Sequence, residues 1–307
     1  MKLSQCYTWI CRKRPTFKAA PAADYLHLYL LLATDPDGDR VGVAIYDNNE
    51  IKLLNGNQLV SLIVYYTLLK LKEKNKLPIN GFIAKTIVTT NLIEKIAADY
   101  KVNCYSTLTG FKNIAELIKK KKNEKFIAGG EESYGMMISD FVRDKDAITA
   151  SLFACEIANY LKQNGSSMFK NLIDIYIKYG LYKEELVSIT KKGKEGKIEI
   201  ANIIDGFKNN PPKKIGGSEV ISIYNYEKSQ KIDLKTNRAS KINFPKSNVI
   251  EFNTANGTKV ILRPSGTEPK IKMYISVTIK LESKEQYLEK DNFLNNRIKA
   301  IIEEINL

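Results

Sequence analysis

Between Asn57 and Leu161 the hydrophobic period switches repeatedly between that of a helix and that of a strand, and no other feature restricts the fold as much. Asn57 to Lys74 has helical spacing, Gly81 to Thr89 reads as a strand, Asn91 to Tyr100 as a helix and Val102 to Thr107 as a strand. Helix Phe111 to Lys121, strand Lys125 to Ala128 and helix Lys145 to Leu161 continue the series. Strands separated by helices cannot pair through tight turns. They are expected to lie parallel, joined by right-handed crossovers with helices on the sheet faces. One complete parallel-sheet α/β domain is therefore expected at 56–165.

The flanks read differently. Leu28 to Leu32 is an apolar run expected as a buried parallel strand. Val41 to Tyr46 alternates, Asn48-Asn49 turns the chain, and Ile51 to Leu54 returns as a hairpin partner. Together they suggest the remnant of a further α/β domain over 1–55. Downstream, Gln163 to Ser167 is a polar break, with Ser167 a candidate N-cap for a connecting helix, Met168 to Tyr179, in a linker over 166–187. From 188 to 307 the pattern is a strand, a helix and several strands, then a final helix, Lys284 to Ile305. The strands include a hairpin, Val249 to Leu262, turned at Asn256-Gly257, and the whole reads as an α+β domain. At about 100–200 residues per domain, 307 residues suit two or three such units.

Composition excludes several classes of function. The net charge of +14 comes mostly from lysine runs such as Lys119 to Lys122, placed at helix ends or hairpin turns. A nucleic-acid surface would interleave arginine and aromatics on one face, so no nucleic-acid partner is expected. A basic cleft would instead draw in a dianionic ligand. No run of 18 apolar residues suggests a membrane span. Four cysteines without paired spacing suit reduced thiols in a cytoplasmic protein. Met1 to Arg14 places its basic cluster after its apolar residues, the reverse of a signal peptide.

Chemistry concentrates in three loops. In Asp35-Pro36-Asp37-Gly38-Asp39-Arg40, three carboxylates stand at i, i+2 and i+4 directly after an apolar run. Held close, they would repel one another unless a hard cation such as Mg²⁺ neutralised them. A solvated acidic turn is the alternative. The loop is no EF-hand, because Arg40 and Tyr46 stand where Gly and Glu are needed. No Gly-x-Gly-x-x-Gly follows a strand here. A haloacid-dehalogenase-type phosphatase would present a similar string with Asp35 as nucleophile, though usually with Thr or Val at the place of Asp39. The second loop, Gly129 to Gly135, offers Glu131 and Ser133 to sugar hydroxyls. In the third, Arg263 to Pro269, an arginine fork, two hydroxyls and a glycine suit a phosphate.

These loops, in this order, resemble those of the α-D-phosphohexomutases, the phosphoglucomutase/phosphomannomutase family, and most closely its bacterial phosphoglucomutase branch. Thr109-Gly110-Phe111-Lys112, Phe141 to Asp146 and Pro245 to Val249 add to the likeness, which covers roughly Leu28 to Thr278. The resemblance implies an isomerase that moves a phosphoryl group within glucose or mannose phosphates. By it, Asp35, Asp37 and Asp39 are the Mg²⁺ ligands and Arg40 lies beside the reacting phosphoryl group. Glu131 and Ser133 bind sugar hydroxyls, and Thr109, Gly110, Phe111 and Lys112 line the sugar. Arg143 and Lys145 reach its phosphate or act in proton transfer. Arg263, Ser265, Gly266 and Thr267 cradle the phosphate that is not being transferred. Residue-level alternatives stay open: Thr109-Gly110 as a helix start, Arg143 and Lys145 as a solvated helix N-terminus.

Such enzymes have four domains, and the first carries Thr-Ala-Ser-His-Asn-Pro, whose phosphorylated serine is the donor. That string does not occur here; Thr149-Ala150-Ser151 imitates its start but continues Leu152-Phe153 inside a helical pattern. The expectation is a fragment comprising the end of domain two, domain three and domain four, with 1–27 a non-native start. It would be inactive alone, and a separately encoded N-terminal half is a candidate partner. A non-catalytic sugar-phosphate-binding module is a further reading.

Overall fold

The structure is a computed structural model and describes residues 29–266 and 268–306. The expected non-native start therefore lies outside the described residues, as does Thr267. The chain forms two compact units, divided between Asp174 and Ile175.

The first unit begins with a three-stranded sheet, β1 Leu30–Thr34, β2 Val41–Asp47 and β3 Glu50–Leu54, in that order. Here the structure corrects the reading of Leu28 to Leu32. β1 starts later, is only half-buried, and runs antiparallel to β2, with Leu30 opposite Ile45 and Thr34 opposite Val41. An apolar run does not reveal its direction of pairing. The six-residue loop 35–40 is too short for a crossover, so it can only join a hairpin.

Helix α1 Gly56–Glu73 follows, started by a capping box: Asn55 Oδ1 accepts from Gln58 N at 2.8 Å, and Gln58 Oε1 from Asn55 N at 3.0 Å. The second sheet has the order β5 Asn103–Thr107, β4 Gly81–Thr86, β6 Lys125–Gly130, β7 Met136–Ile138. As expected, β4 is parallel to β5 and β6. β7, invisible in the sequence because it has only three residues, closes one edge antiparallel. Helices α2 Leu92–Asp99, α3 Phe111–Lys120 and α4 Ala147–Gln163 alternate with the strands. α4 begins two residues later than its pattern, because Asp146 adopts an extended backbone and accepts from Ile148 N at 3.0 Å. Ser151 lies inside this helix, as its spacing predicts. Phe82, Ala84, Ile114, Phe126 and Met137 form the core. Ser167 caps α5 Met168–Tyr179, accepting from Lys170 N at 3.2 Å and donating to Asp47 at 2.5 Å.

The second unit is built on an antiparallel sheet. Its principal strands are β8 Leu181–Thr190, β10 Ser218–Asn225, β13 Ile250–Thr254, β14 Lys259–Pro264 and β15 Lys270–Ile279. Their order is β10-β13-β14-β15-β8; β9 Lys214–Ile215, β11 Gln230–Asp233 and β12 Arg238–Lys241 extend it beyond β10. Helices α6 Gly193–Asn209 and α7 Tyr287–Ile305 pack on the sheet. The stretch expected as a linker to residue 187 thus holds the start of β8, which pairs with β15 along its whole length. That pairing joins residues about 90 apart, and local pattern cannot report it. No helix among the described residues is long and apolar enough to cross a membrane.

Candidate active site

The 35–40 loop is shaped by its own backbone. Gly38 adopts φ +70°, a left-handed conformation that glycine takes without strain, and donates to Asp35 O at 3.0 Å. Asp35 Oδ1 accepts from Asp39 N at 3.2 Å and Arg40 N at 3.0 Å, which turns the three side chains together. Ligand oxygens of Asp35, Asp37 and Asp39 lie within 4.8 Å of one another. Asp39 Oδ1 is buried without a hydrogen bond and lies 3.8 Å from Arg40 Nε. An all-oxygen donor set with a buried, unspent carboxylate oxygen fits a hard divalent cation. Asp37→Ala should weaken Mg²⁺ or Mn²⁺ binding at least tenfold in calorimetric titration, because it removes one of three carboxylates. Equal affinity in parent and variant would move the metal elsewhere.

Two neighbours hold this loop. Arg40 forms an antiparallel bridge with Gly135, and Val41 N donates to Tyr134 O at 3.3 Å. The start of α4 reaches it through Ala147 N to Gly38 O at 3.2 Å. Lys145 Nζ then lies 2.9 Å from Asp39 Oδ2 and 3.0 Å from Asp144 Oδ1. Burial alone would lower the pKa of this ammonium, but its hydrogen bonds to Asp39 and Asp144 outweigh that and leave it raised. Its stem passes against Gly135, where a Cβ would stand 2.4 Å from Lys145 Cδ.

Glu131 sits at the exit of β6. Its N–H donates to Gly135 O at 2.8 Å, and its buried carboxylate accepts from Gly110 N at 2.6 Å. That second bond joins the Gly129–Gly135 loop to the Thr109–Lys112 loop. At Gly56 a Cβ would meet Glu132 O at 2.0 Å, so the start of α1 packs directly against the same loop. Tyr134 holds φ +69°, a strained conformation for a non-glycine residue, and burial raises the pKa of its hydroxyl.

One unit therefore brings together Asp35, Asp37, Asp39, Arg40, Lys145, Glu131 and Gly110. Ser133 and Thr109 are half-buried, while Lys112 and Arg143 are exposed. Phe111 is 5% exposed and belongs to the hydrophobic core, with its ring centroid 5.1 Å from Lys145 Nζ. Sequence reasoning overlooked Asp144 and Lys85. Lys85 is 1% exposed in β4 and reaches Glu94 at 2.9 Å, Asn91 at 3.1 Å and Thr89 O at 3.3 Å. Thr89 Oγ1 in turn lies 2.8 Å from Thr86 Oγ1 and 3.5 Å from Gly130 O, so this buried network supports the strand that delivers Glu131. A lone lysine in the apolar stretch Phe82–Val88 was the available signal.

The third loop lies in the second unit. Arg263 is half-buried near the end of β14, opposite Lys272. Ser265 N donates to Lys270 O at 2.7 Å and Ser265 Oγ accepts from Glu268 N at 3.3 Å, closing the turn. Gly266 is exposed, with no heavy atom within 4 Å of a built Cβ. An anion could approach its N–H freely.

Residues 55–176 match the family model described as phosphoglucomutase/phosphomannomutase, alpha/beta/alpha domain III. The chain is 39% identical over 258 residues to a phosphoglucomutase of Staphylococcus epidermidis, a match covering 83% of this chain and 46% of that protein. To a phosphoglucomutase of Staphylococcus saprophyticus it is 34% identical, covering 89% and 50%. The fold resembles the open form of the Paramecium phosphoglucomutase parafusin, with TM-score 0.61 and 20% identity over 90% of this chain and 44% of that one. It also resembles a phosphoglucomutase/phosphomannomutase family protein from Burkholderia thailandensis, with TM-score 0.54 and 12% identity over 94% and 50%. The chain spans about half the length of the curated relatives it matches.

Proposed function

The chain belongs to the phosphoglucomutase/phosphomannomutase family, and on that premise we propose that it is the substrate-handling half of an isomerase that transfers phosphoryl groups within glucose or mannose phosphates. The observation that carries this reading is the hydrogen-bonded convergence of the aspartate loop, Lys145, Glu131 and Gly110 within one unit. Asp35, Asp37 and Asp39 would hold Mg²⁺, which neutralises charge developing on a transferring phosphoryl group. Arg40 and Lys145 add fixed positive charge beside them. Electrostatic positioning of this kind dominates phosphoryl transfer.

Glu131 and Ser133 bind and orient the sugar hydroxyls. Thr109, Gly110 and Lys112 line the sugar, Phe111 supports them from the core, and Arg143 lies on the exposed turn before α4. Arg263, Ser265, Gly266 and Thr267 hold the resting phosphate. The donor serine string does not occur in the 307 residues. The donor would come from outside these 307 residues, in the cytoplasm, where the free thiols of Cys104 and Cys155 remain reduced.

The purified 307-residue chain, loaded with Mg²⁺, should bind glucose 1-phosphate but not single-stranded DNA, and should interconvert no hexose phosphate above a heat-killed control. Turnover by this chain alone would overturn the half-enzyme reading. Absence of hexose-phosphate binding would overturn the substrate assignment.

A further inference from the structure

Lys145 is a long, flexible side chain held in one place. The backbone beside it is tied down, with Asp146 N donating to Met136 O at 3.1 Å and Ala147 N to Gly38 O at 3.2 Å. Its stem runs through the space that Gly135 leaves open, where a built Cβ would stand 2.8 Å from Lys145 Cγ. Phe111 bounds it on another side, its ring centroid 5.1 Å from Nζ. The side chain is 13% exposed. An ammonium has three donors, and Lys145 directs two of them at carboxylates, Asp39 Oδ2 at 2.9 Å and Asp144 Oδ1 at 3.0 Å.

The two oxygens of Asp39 are thereby made unequal. Oδ2 is bonded to a fixed cation. Oδ1 is buried with no hydrogen bond, and Arg40 Nε at 3.8 Å is too far away to supply one. Asp35 differs, because its Oδ1 accepts from the backbone amides of Asp39 and Arg40, which carry no net charge.

This inequality bears on which ion the loop prefers. Ca²⁺ takes roughly six to eight oxygens in a flexible shell and accepts a carboxylate through both oxygens at once, whereas Mg²⁺ demands a small, near-ideal octahedron. To grip Asp39 through both oxygens, a cation would have to share Oδ2 with the Lys145 ammonium, and two cations across one oxygen repel. A grip through Oδ1 alone avoids that repulsion. We infer that Lys145, by holding Asp39 Oδ2, restricts Asp39 to a single oxygen for the metal and so makes the aspartate loop select Mg²⁺ over Ca²⁺. In this respect Lys145 is a positioning residue that acts through Asp39, and Asp144 holds its ammonium from the other side. The inference rests on the reading of Asp35, Asp37 and Asp39 as metal ligands, and goes beyond it in naming what sets the choice of ion.

The test is calorimetric titration of the 307-residue chain with Mg²⁺ and with Ca²⁺, parent against Lys145→Met. Methionine keeps an unbranched, flexible stem beside Gly135 and removes the donor. Both ions carry two charges, so losing a neighbouring positive charge raises both affinities alike and cancels in their ratio. What remains is the effect of the freed oxygen, and the preference for Mg²⁺ over Ca²⁺ should fall by about tenfold in the variant. A ratio unchanged from that of the parent overturns the inference. A merely structural role for Lys145 gives that same overturning result, because it would lower both affinities together. Should Lys145→Met not fold, the parent decides the matter in crystals grown with Mn²⁺, where Asp39 should bind the ion through one oxygen while the other stays bonded to Lys145. Asp39 bound through both oxygens, or Lys145 displaced from it, overturns the inference. A parent that binds neither Mg²⁺ nor Ca²⁺ removes the metal reading and this inference with it, whereas binding with an unchanged ratio in the variant removes the inference alone.

Discussion

Arg263→Lys should weaken glucose 1-phosphate binding by roughly ten- to a hundredfold, nearly as much as Arg263→Ala. Arg263 is half-buried beside the Ser265 turn, where a guanidinium fork can pair two phosphate oxygens at once. A lysine of similar reach presents only a point charge. Hydrogen bonds to charged groups contribute about 1.5–3 kcal/mol each, and about 1.4 kcal/mol is tenfold in affinity, which sets the range. Gly266→Ala provides a companion measurement. Nothing lies within 4 Å of a built Cβ there, so the fold should tolerate it, but the methyl would obstruct an anion seated on the Gly266 N–H. Calorimetric titration of parent and variants is sufficient. Undiminished binding in both Arg263 variants would place the phosphate away from this loop.

Gly129→Ala should lower the melting transition of the first unit by about 10 °C. A Cβ at Gly129 would lie 2.0 Å from Ala84 O and 3.0 Å from Ala84 C, and both are backbone atoms of the paired strand β4. A flexible side chain could swing aside; a strand in the middle of a packed sheet cannot. Overpacking of this kind costs about 3 kcal/mol at the upper end of its usual range. In a unit of this size, each kcal/mol lowers the melting temperature by about 2–4 °C. Because β6 delivers Glu131, a surviving folded fraction should also lose hexose-phosphate affinity. Calorimetry reads the first effect, with Gly266→Ala as the control that should leave the melting temperature unchanged. A Gly129→Ala transition within 2 °C of the parent would falsify the close approach of β6 to β4.

The helix–strand alternation from Asn57 onward was legible in the sequence because each segment advertises its own period. Of the helix caps, only Ser167 was read in advance; it accepts from Lys170 N three residues on. The aspartate loop was legible because its three carboxylates fall within five residues and Asp35 Oδ1 draws the loop together by accepting from Asp39 N and Arg40 N. Arg263 to Pro269 likewise closes on itself through Ser265 and Lys270.

What local pattern could not contain was any choice made between distant segments. The antiparallel direction of β1 depends on β2, and the role of Leu181 to Thr190 as a sheet strand depends on β15. The meeting of Lys145 with Asp39 spans more than a hundred residues, and the bond from Gly110 to Glu131 joins the β5–β6 crossover to the β6–β7 hairpin. Lys85 went unremarked within its strand, and only the fold places Glu94, Asn91 and Thr89 around its ammonium. Composition and spacing determined which chemical groups this chain carries and which local elements present them. Only the tertiary structure decided which groups meet, because pairing direction and side-chain contact are set by burial and hydrogen bonding across the whole unit.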